Sequence, residues 1–103
     1  MLLGKVFKIK ENKLATWKAW CVELQTTHAI EARKTLIEEG ILFEGFLIFG
    51  IGNDFYTVGF SYSNNEPKTV NLENKLNVLH REVKRDCLEE PVGKIEGGYF
   101  LSA

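Results

Sequence analysis

The sequence predicts an α+β domain in which two helices cover one face of a four-stranded antiparallel sheet. Three observations predict it: a long hairpin between Ile41 and Ser63, stretches with helical spacing of apolar residues before and after that hairpin, and alternating segments at both chain ends.

Residues 3–10 (LGKVFKIK) alternate as a strand, with Phe7 and Ile9 on one side and Val6 among lysines on the other. Glu11-Asn12-Lys13 breaks the alternation and offers Asn12 as a helix N-cap. From Leu14 the apolar positions recur at Trp17, Cys21, Leu24, His28, Ala32 and Leu36, in steps of three and four. That stripe predicts one helix from Lys13 to Glu39, ended by Gly40. A helix of this length would span about 40 Å, more than a small sheet needs. Thr26-Thr27 lies in its middle, where β-branched hydroxyl residues weaken a helix or cap a new one, so a kink or a break there is open.

Residues 41–63 (ILFEGFLIFGIGNDFYTVGFSYS) form two β-rich runs around Gly52-Asn53, a pair able to supply the positive φ of a tight turn. A two-residue loop sets the register: Ile51 opposite Asp54, Phe49 opposite Tyr56, Leu47 opposite Val58, Gly45 opposite Phe60 and Phe43 opposite Tyr62. That face is large and apolar. The other pairs Ile48 with Thr57, Phe46 with Gly59 and Glu44 with Ser61, and a Phe opposite a Gly covers bare backbone.

Asn64-Asn65-Glu66-Pro67-Lys68 reads as a loop. A second helix follows from about Leu72 to Glu89, with Leu72, Leu76, Leu79, Val83 and Cys87 on one face and Pro91 as its stop. Residues 93–102 (GKIEGGYFLS) are expected as the last strand. The order is then β-α-β-β-α-β, the split βαβ or ferredoxin-like arrangement. Right-handed crossovers put both helices on one side of the sheet and leave the other bare. With Leu42, Phe46 and Ile48 on one side of the hairpin and Phe43, Leu47, Phe49, Val58 and Phe60 on the other, two helices do not hide everything. The expectation is a two-fold homodimer with sheets face to face. Which hairpin face meets the helices is open.

The 103 residues make one domain, 1–103, with 45% hydrophobic and 26% charged residues. Thirteen basic against fourteen acidic side chains, a net charge of -1, argue against a nucleic-acid or anionic-membrane partner. The start, Met1-Leu2-Leu3-Gly4-Lys5, runs into a strand rather than a signal peptide, and nothing reaches the roughly eighteen apolar residues of a membrane span. A cytoplasmic protein is expected. Cys21 and Cys87 lack a CxxC spacing and read as two reduced, buried thiols, with no metal site. The glycines form no GxGxxG fingerprint, and GxSxG and HExxH are absent.

Three groups stand out chemically. His80 lies at the edge of the second helix's apolar face, in line with Leu76 and Lys84, and His28 lies within the first helix's stripe. Each is read either as an imidazole satisfied by a neighbour or as a ligand or proton-transfer group, since its ordinary pKa lies near working pH. Glu44 is a carboxylate in an apolar strand, either an edge-strand charge or, if buried, an acid or base with a raised pKa. Trp17, Trp20, Tyr56, Tyr62 and Tyr99 are candidates for an aromatic pocket, with core or dimer contact as the alternative.

The topology and bare apolar face resemble the dimeric α/β-barrel superfamily, which includes antibiotic-biosynthesis monooxygenases, haem-degrading monooxygenases and EthD-like proteins. More closely, KTLIEEGILFEGFLIF, with Glu39, Gly40 and Glu44, and LHREVKRDCLE, with His80 and Cys87, are similar to a small bacterial family of unassigned function. The resemblance implies a barrel-like dimer and leaves the activity open. It also places His80 much as the iron-binding His of haem-degrading members is placed. Two functions follow as expectations, beside a third reading as a purely structural dimer that joins a larger assembly through a further exposed patch. The first is a homodimeric domain that binds a small apolar ligand without a cofactor. The second is an oxygenase-like enzyme, cofactor-free or haem-using, with His80 as ligand or base and Glu44 or Tyr62 orienting the substrate.

Overall fold

The computed structural model describes residues 1–103. In chain order the elements are β1 (Leu2–Ile9), α1 (Leu14–Gln25), α2 (Ala29–Glu39), β2 (Phe43–Ile51), β3 (Asp54–Tyr62), α3 (Lys75–Cys87) and β4 (Leu88–Lys94). They build an α+β domain whose sheet has the strand order β2-β3-β1-β4, every neighbouring pair antiparallel.

The hairpin has the register read from the sequence, from Ile51 opposite Asp54 to Phe43 opposite Tyr62. Gly52 alone carries the positive φ, 60°, as the first central residue of a type II′ turn does. The Phe46 ring lies directly over Gly59, where a Cβ would overlap it. A residue with a side chain at position 59 would have to displace that ring.

The single first helix gives way to two. Thr26 leaves helical geometry with ψ -84°, and its hydroxyl donates back to the Val22 carbonyl at 2.8 Å, the competing bond that makes mid-helix Thr unfavourable. His28 becomes the residue preceding α2 rather than a stripe position. Asn12 is not the N-cap either. It sits at φ 64° in the turn after β1, and Lys13 occupies the cap without a side-chain bond. At its far end α2 closes with Gly40 at φ 75°, the Gly40 N–H on Ile37 and the Ile41 N–H on Leu36, a Schellman arrangement.

The last third of the chain is also corrected. The third helix starts at Lys75, where the Asn74 side chain accepts from the Leu76 and Asn77 N–H groups at 2.9 and 3.2 Å. It ends at Cys87 and passes straight into β4, so Pro91 lies inside a strand instead of stopping a helix. An edge strand tolerates this, since one row of its N–H groups has no ladder partner, and the β1–β4 ladder slips twice around Phe7, opposite Pro91. Residues 95–103 are not the expected strand. Ile95 still donates to the Gly4 carbonyl at 2.9 Å, and the chain beyond it brings Phe100 back over the outer face, with its ring 5.2 Å from Phe43 and stacked on Tyr62 at 5.8 Å.

The core lies between the sheet and helices α1 and α3. It is built on Ile9, Trp17, Trp20, Cys87 and Leu88, with Phe7, Phe46, Ile48, Leu76 and Val83 packed around it. The face of the hairpin that meets the helices is therefore the mixed one, with Glu44, Phe46, Ile48 and Thr57. Helix α2 contributes nothing to this cluster, and the one residue it buries is Thr35. No helix is long and apolar enough to cross a membrane.

Candidate functional site

Because α2 stays out of the core, the helical layer leaves a cavity of about 890 Å³ over one end of the sheet. Its floor is Leu3, Phe7 and Phe46 from the strands, its walls are Leu24 from α1, Ala32 and Thr35 from α2 and Leu76 from α3, and Ile95 closes one side. Apolar side chains thus make the body of the site. Polar side chains are as numerous around it: the charged or titratable ones are His80, Arg81 and Lys84 on α3, Glu39 at the end of α2, Glu44 on β2, and Lys5 and Lys94, which face each other across β1 and β4, and Thr35, Ser61, Thr69 and Asn77 add neutral ones.

His80 is the best defined of these. Its Nδ1 accepts the Trp20 indole N–H at 2.9 Å, and its ring lies between Trp20 and Trp17, with the Phe46 ring 5.9 Å away edge-on. An indole only donates, so Nδ1 carries a lone pair and the proton of the neutral ring is on Nε2. Nε2 has no protein partner, yet no fully buried polar side-chain atom in the protein lacks one, so Nε2 opens onto the cavity that His80 lines. Burial, reinforced by the positive charge of Lys84, lowers the His80 pKa from 6.5 to about 4. The ring is a neutral hydrogen-bond donor at neutral pH.

This disposes of two roles. A base needs an accessible lone pair, and the only one is engaged by Trp20. An iron ligand through Nε2 needs the proton moved to Nδ1, which the indole N–H opposes. The residues around His80 therefore do not fit a haem iron.

A stability test follows from the same geometry. The unfolded ring takes up a proton near pH 6.5 and the folded ring only near pH 4, so stability falls as pH drops through that window. The loss is at most about 3–4 kcal/mol, from 1.36 kcal/mol per unit. Glu39 and Glu44, whose pKa values are raised, act in the opposite sense at the lower end of the window. Urea unfolding between pH 4 and 7 should show this slope in the native protein and its removal in His80→Gln, which keeps an acceptor for Trp20. Equal slopes in the two proteins would show that His80 titrates normally.

Glu44 and Lys84 perturb each other across the cavity. Desolvation raises the Glu44 carboxyl above its usual range while Lys84 pulls it down, and Glu44 keeps contact with solvent. Desolvation lowers the Lys84 ammonium, Glu44 raises it, and Lys5 and Arg81 lower it further. The Lys84 Nζ stands over the Phe7 and Phe46 rings, 5.6 and 5.7 Å from their centroids, and makes no ion pair or hydrogen bond with the protein.

Of the residues singled out by sequence, the structure brings His80 and Glu44 into one cavity and leaves two elsewhere. His28 is half-buried beside Trp20, ring centroids 5.6 Å apart, and does not line the cavity. Tyr62 is on the opposite face of the sheet, against Phe43 and Phe100. Of the aromatic set, Trp17 and Trp20 are core, Tyr56 stacks on Phe49 on the outer face, and Tyr99 is 86% exposed. Cys87 is buried and Cys21 half-buried, both unpaired, and burial raises each thiol. Lys5, Arg81, Lys84 and Lys94 escaped sequence reasoning as a group. The spacing of His80 and Lys84 at i,i+4 signalled only that those two share a helix face. No group of three or more His, Cys, Asp or Glu gathers as a metal site would require.

A family model described as a family of unknown function, DUF6176, matches residues 4–99. No curated protein and no solved structure is similar enough to the chain to count as a match.

Proposed function

The chain belongs to that family of unknown function, and from this premise we propose that it is a homodimeric domain that holds a small, largely apolar molecule in the cavity between α2, α3 and the sheet. The observation that carries the reading is the cavity itself, whose apolar floor and walls meet a neutral His80 with a free N–H. Ligand sites commonly join an apolar body to polar groups that orient the guest, and this cavity has both. The reading includes no haem and no base at His80, and the oxygenase alternative loses its main residue with them.

The dimer rests on surface. The subunit exposes 7449 Å², whereas a compact monomer of 11.8 kDa exposes about 5,900 Å². The excess of roughly 1,500 Å² per subunit is on the scale of an obligate dimer interface, with part of it in the open cavity. On the outer face Leu47 is 61% exposed, Ile51 62%, Phe43 48% and Phe49 37%. A second copy is the proposed cover, since a two-fold axis pairs the same apolar patch with itself. Strand β3 between β1 and β2 supports the ferredoxin-like reading of the subunit, and the dimer would then be an α/β barrel. The reading also keeps the cytoplasmic location, where unpaired cysteines stay reduced.

An uncharged solvatochromic dye such as Nile red tests the cavity. One dye per subunit should bind, and Ala32→Phe, which fills the space beside α2, should weaken binding at least tenfold while leaving the fold intact. Binding insensitive to Ala32→Phe but abolished by charges at Leu47 and Phe49 would place the dye on the outer face and overturn the reading.

A further inference from the structure

The cavity concentrates charge that the chain as a whole does not carry. Overall the protein has a net charge of -1, yet the cavity is lined by Lys5, Arg81, Lys84 and Lys94 against Glu39 and Glu44. Lys5, Arg81 and Lys84 form a cluster, with Lys94 beside Lys5 at its rim. Lys5 and Lys94 are cross-strand partners, Arg81 and Lys84 are one turn apart on α3, and Lys84 lies near enough to Lys5 and Arg81 to feel both charges. Lys84 is half-buried while Lys5, Arg81 and Lys94 are exposed at the mouth, and like charges gathered around a half-buried ammonium are unfavourable without an anion to balance them. Arg81, Lys84 and Lys5 have no carboxylate within ion-pair distance, and Lys94 has one, Glu96, at 3.9 Å outside the cavity.

Lys84 is the inner member. Its stem runs past Phe7 and Phe46, whose rings hold the ammonium without neutralising it. One turn away on the same helix face, the His80 Nε2–H opens onto the same space, since i and i+4 side chains are neighbours. An ammonium and a neutral N–H side by side match the two oxygens of a carboxylate. The remaining wall, from Leu24, Leu72 and Leu76, has nothing polar for the rest of such a molecule.

We propose that the occupant of this cavity is an amphipathic organic acid, an apolar chain or ring whose single carboxylate is held by the Lys84 ammonium and the His80 Nε2–H beneath the Lys5, Arg81 and Lys94 charges. This rests on the ligand-binding reading above and names the chemical class of the ligand. Glu44 and Glu39, which line the same cavity, would repel a second anionic group, which favours a monoacid over a diacid.

The test uses the full chain with Nile red as reporter and three ten-carbon probes of equal bulk: decanoate, decanol and decylamine. Decanoate should displace the dye at least tenfold more tightly than decanol, and decylamine should be the weakest. Lys84→Met, which keeps the stem against Phe7 and Phe46, should reduce the preference for decanoate over decanol to within about twofold. Arg81→Gln, on the exposed side of α3, should reduce it in part. Equal displacement by decanoate and decanol, or an unchanged preference in Lys84→Met, would overturn the acid while leaving an apolar ligand site. Failure of Nile red itself to bind in an Ala32-dependent way would remove the site and the acid together.

Discussion

Replacing both Leu47 and Phe49 with glutamate should halve the mass in solution, from twice 11.8 kDa to 11.8 kDa by light scattering. The two side chains lie on the outer face of β2, opposite Val58 and Tyr56, where no helix covers them. In a two-fold dimer each substitution occurs twice, so four large apolar groups leave the interface together. At about 1.5–3 kcal/mol for each fully buried side chain, and with Leu47 61% and Phe49 37% exposed in the subunit, the loss is roughly 3–6 kcal/mol before the repulsion of four facing carboxylates is added. Together with that repulsion it is enough to separate the subunits. The folded monomer should keep its circular dichroism, because the replaced side chains take no part in the helix-facing core. The matched control is Phe46 with Ile48, one residue out of phase, which should unfold the protein instead. A native protein that already runs as a monomer, or a double variant that stays dimeric, would end the dimer argument.

Trp17→Ala should be the most destabilising truncation in the molecule, by about 3–5 kcal/mol in urea unfolding. Trp17 is fully buried, its ring meets Phe46 edge-on at 5.1 Å, and its indole N–H donates to the Thr57 hydroxyl at 3.2 Å. Thr57 is buried in turn and its hydroxyl donates to the Leu47 carbonyl at 3.1 Å, so this side-chain chain ties α1 to both strands of the hairpin. Truncation removes the largest buried side chain and opens a void next to an existing cavity. Domains of this size have about 5–15 kcal/mol of stability, so the variant should be partly unfolded near body temperature. Trp17→Phe keeps most of the volume and loses one hydrogen bond, and should fall by about 1–2 kcal/mol. A drop below about 1 kcal/mol for Trp17→Ala would show that the Trp17 contacts are not what joins the layers.

Local pattern carried a large part of this architecture. The hairpin register from Ile51–Asp54 to Phe43–Tyr62 was readable because alternation and a two-residue turn leave one pairing that keeps like faces together. The contact of Phe46 with Gly59 followed from it. Sequence leaves the break at Thr26 open, since helical spacing continues through Thr26-Thr27, and the structure makes it there, where Thr26 leaves helical geometry and its hydroxyl bonds the Val22 carbonyl. The end of the chain differs from its sequence pattern for a comparable reason. Pro91 reads as a helix stop, but an edge strand accepts it, and being at the edge is a property of the sheet rather than of residues 88–94.

The sequence by itself determined the α+β class, the hairpin with its register, and an apolar surplus on both faces of the hairpin, because periods of two and of three to four residues are local signals. Only the tertiary structure decided that the mixed face turns toward the helices, which puts Glu44 with His80 and leaves Tyr62 behind the sheet. It alone decided that the Trp20 indole holds the His80 tautomer across 60 positions of chain, and that Lys5, Arg81, Lys84 and Lys94 meet in one cavity. Those contacts depend on crossover direction and on where α2 rests, and neither leaves a periodic trace in the residues that end up touching.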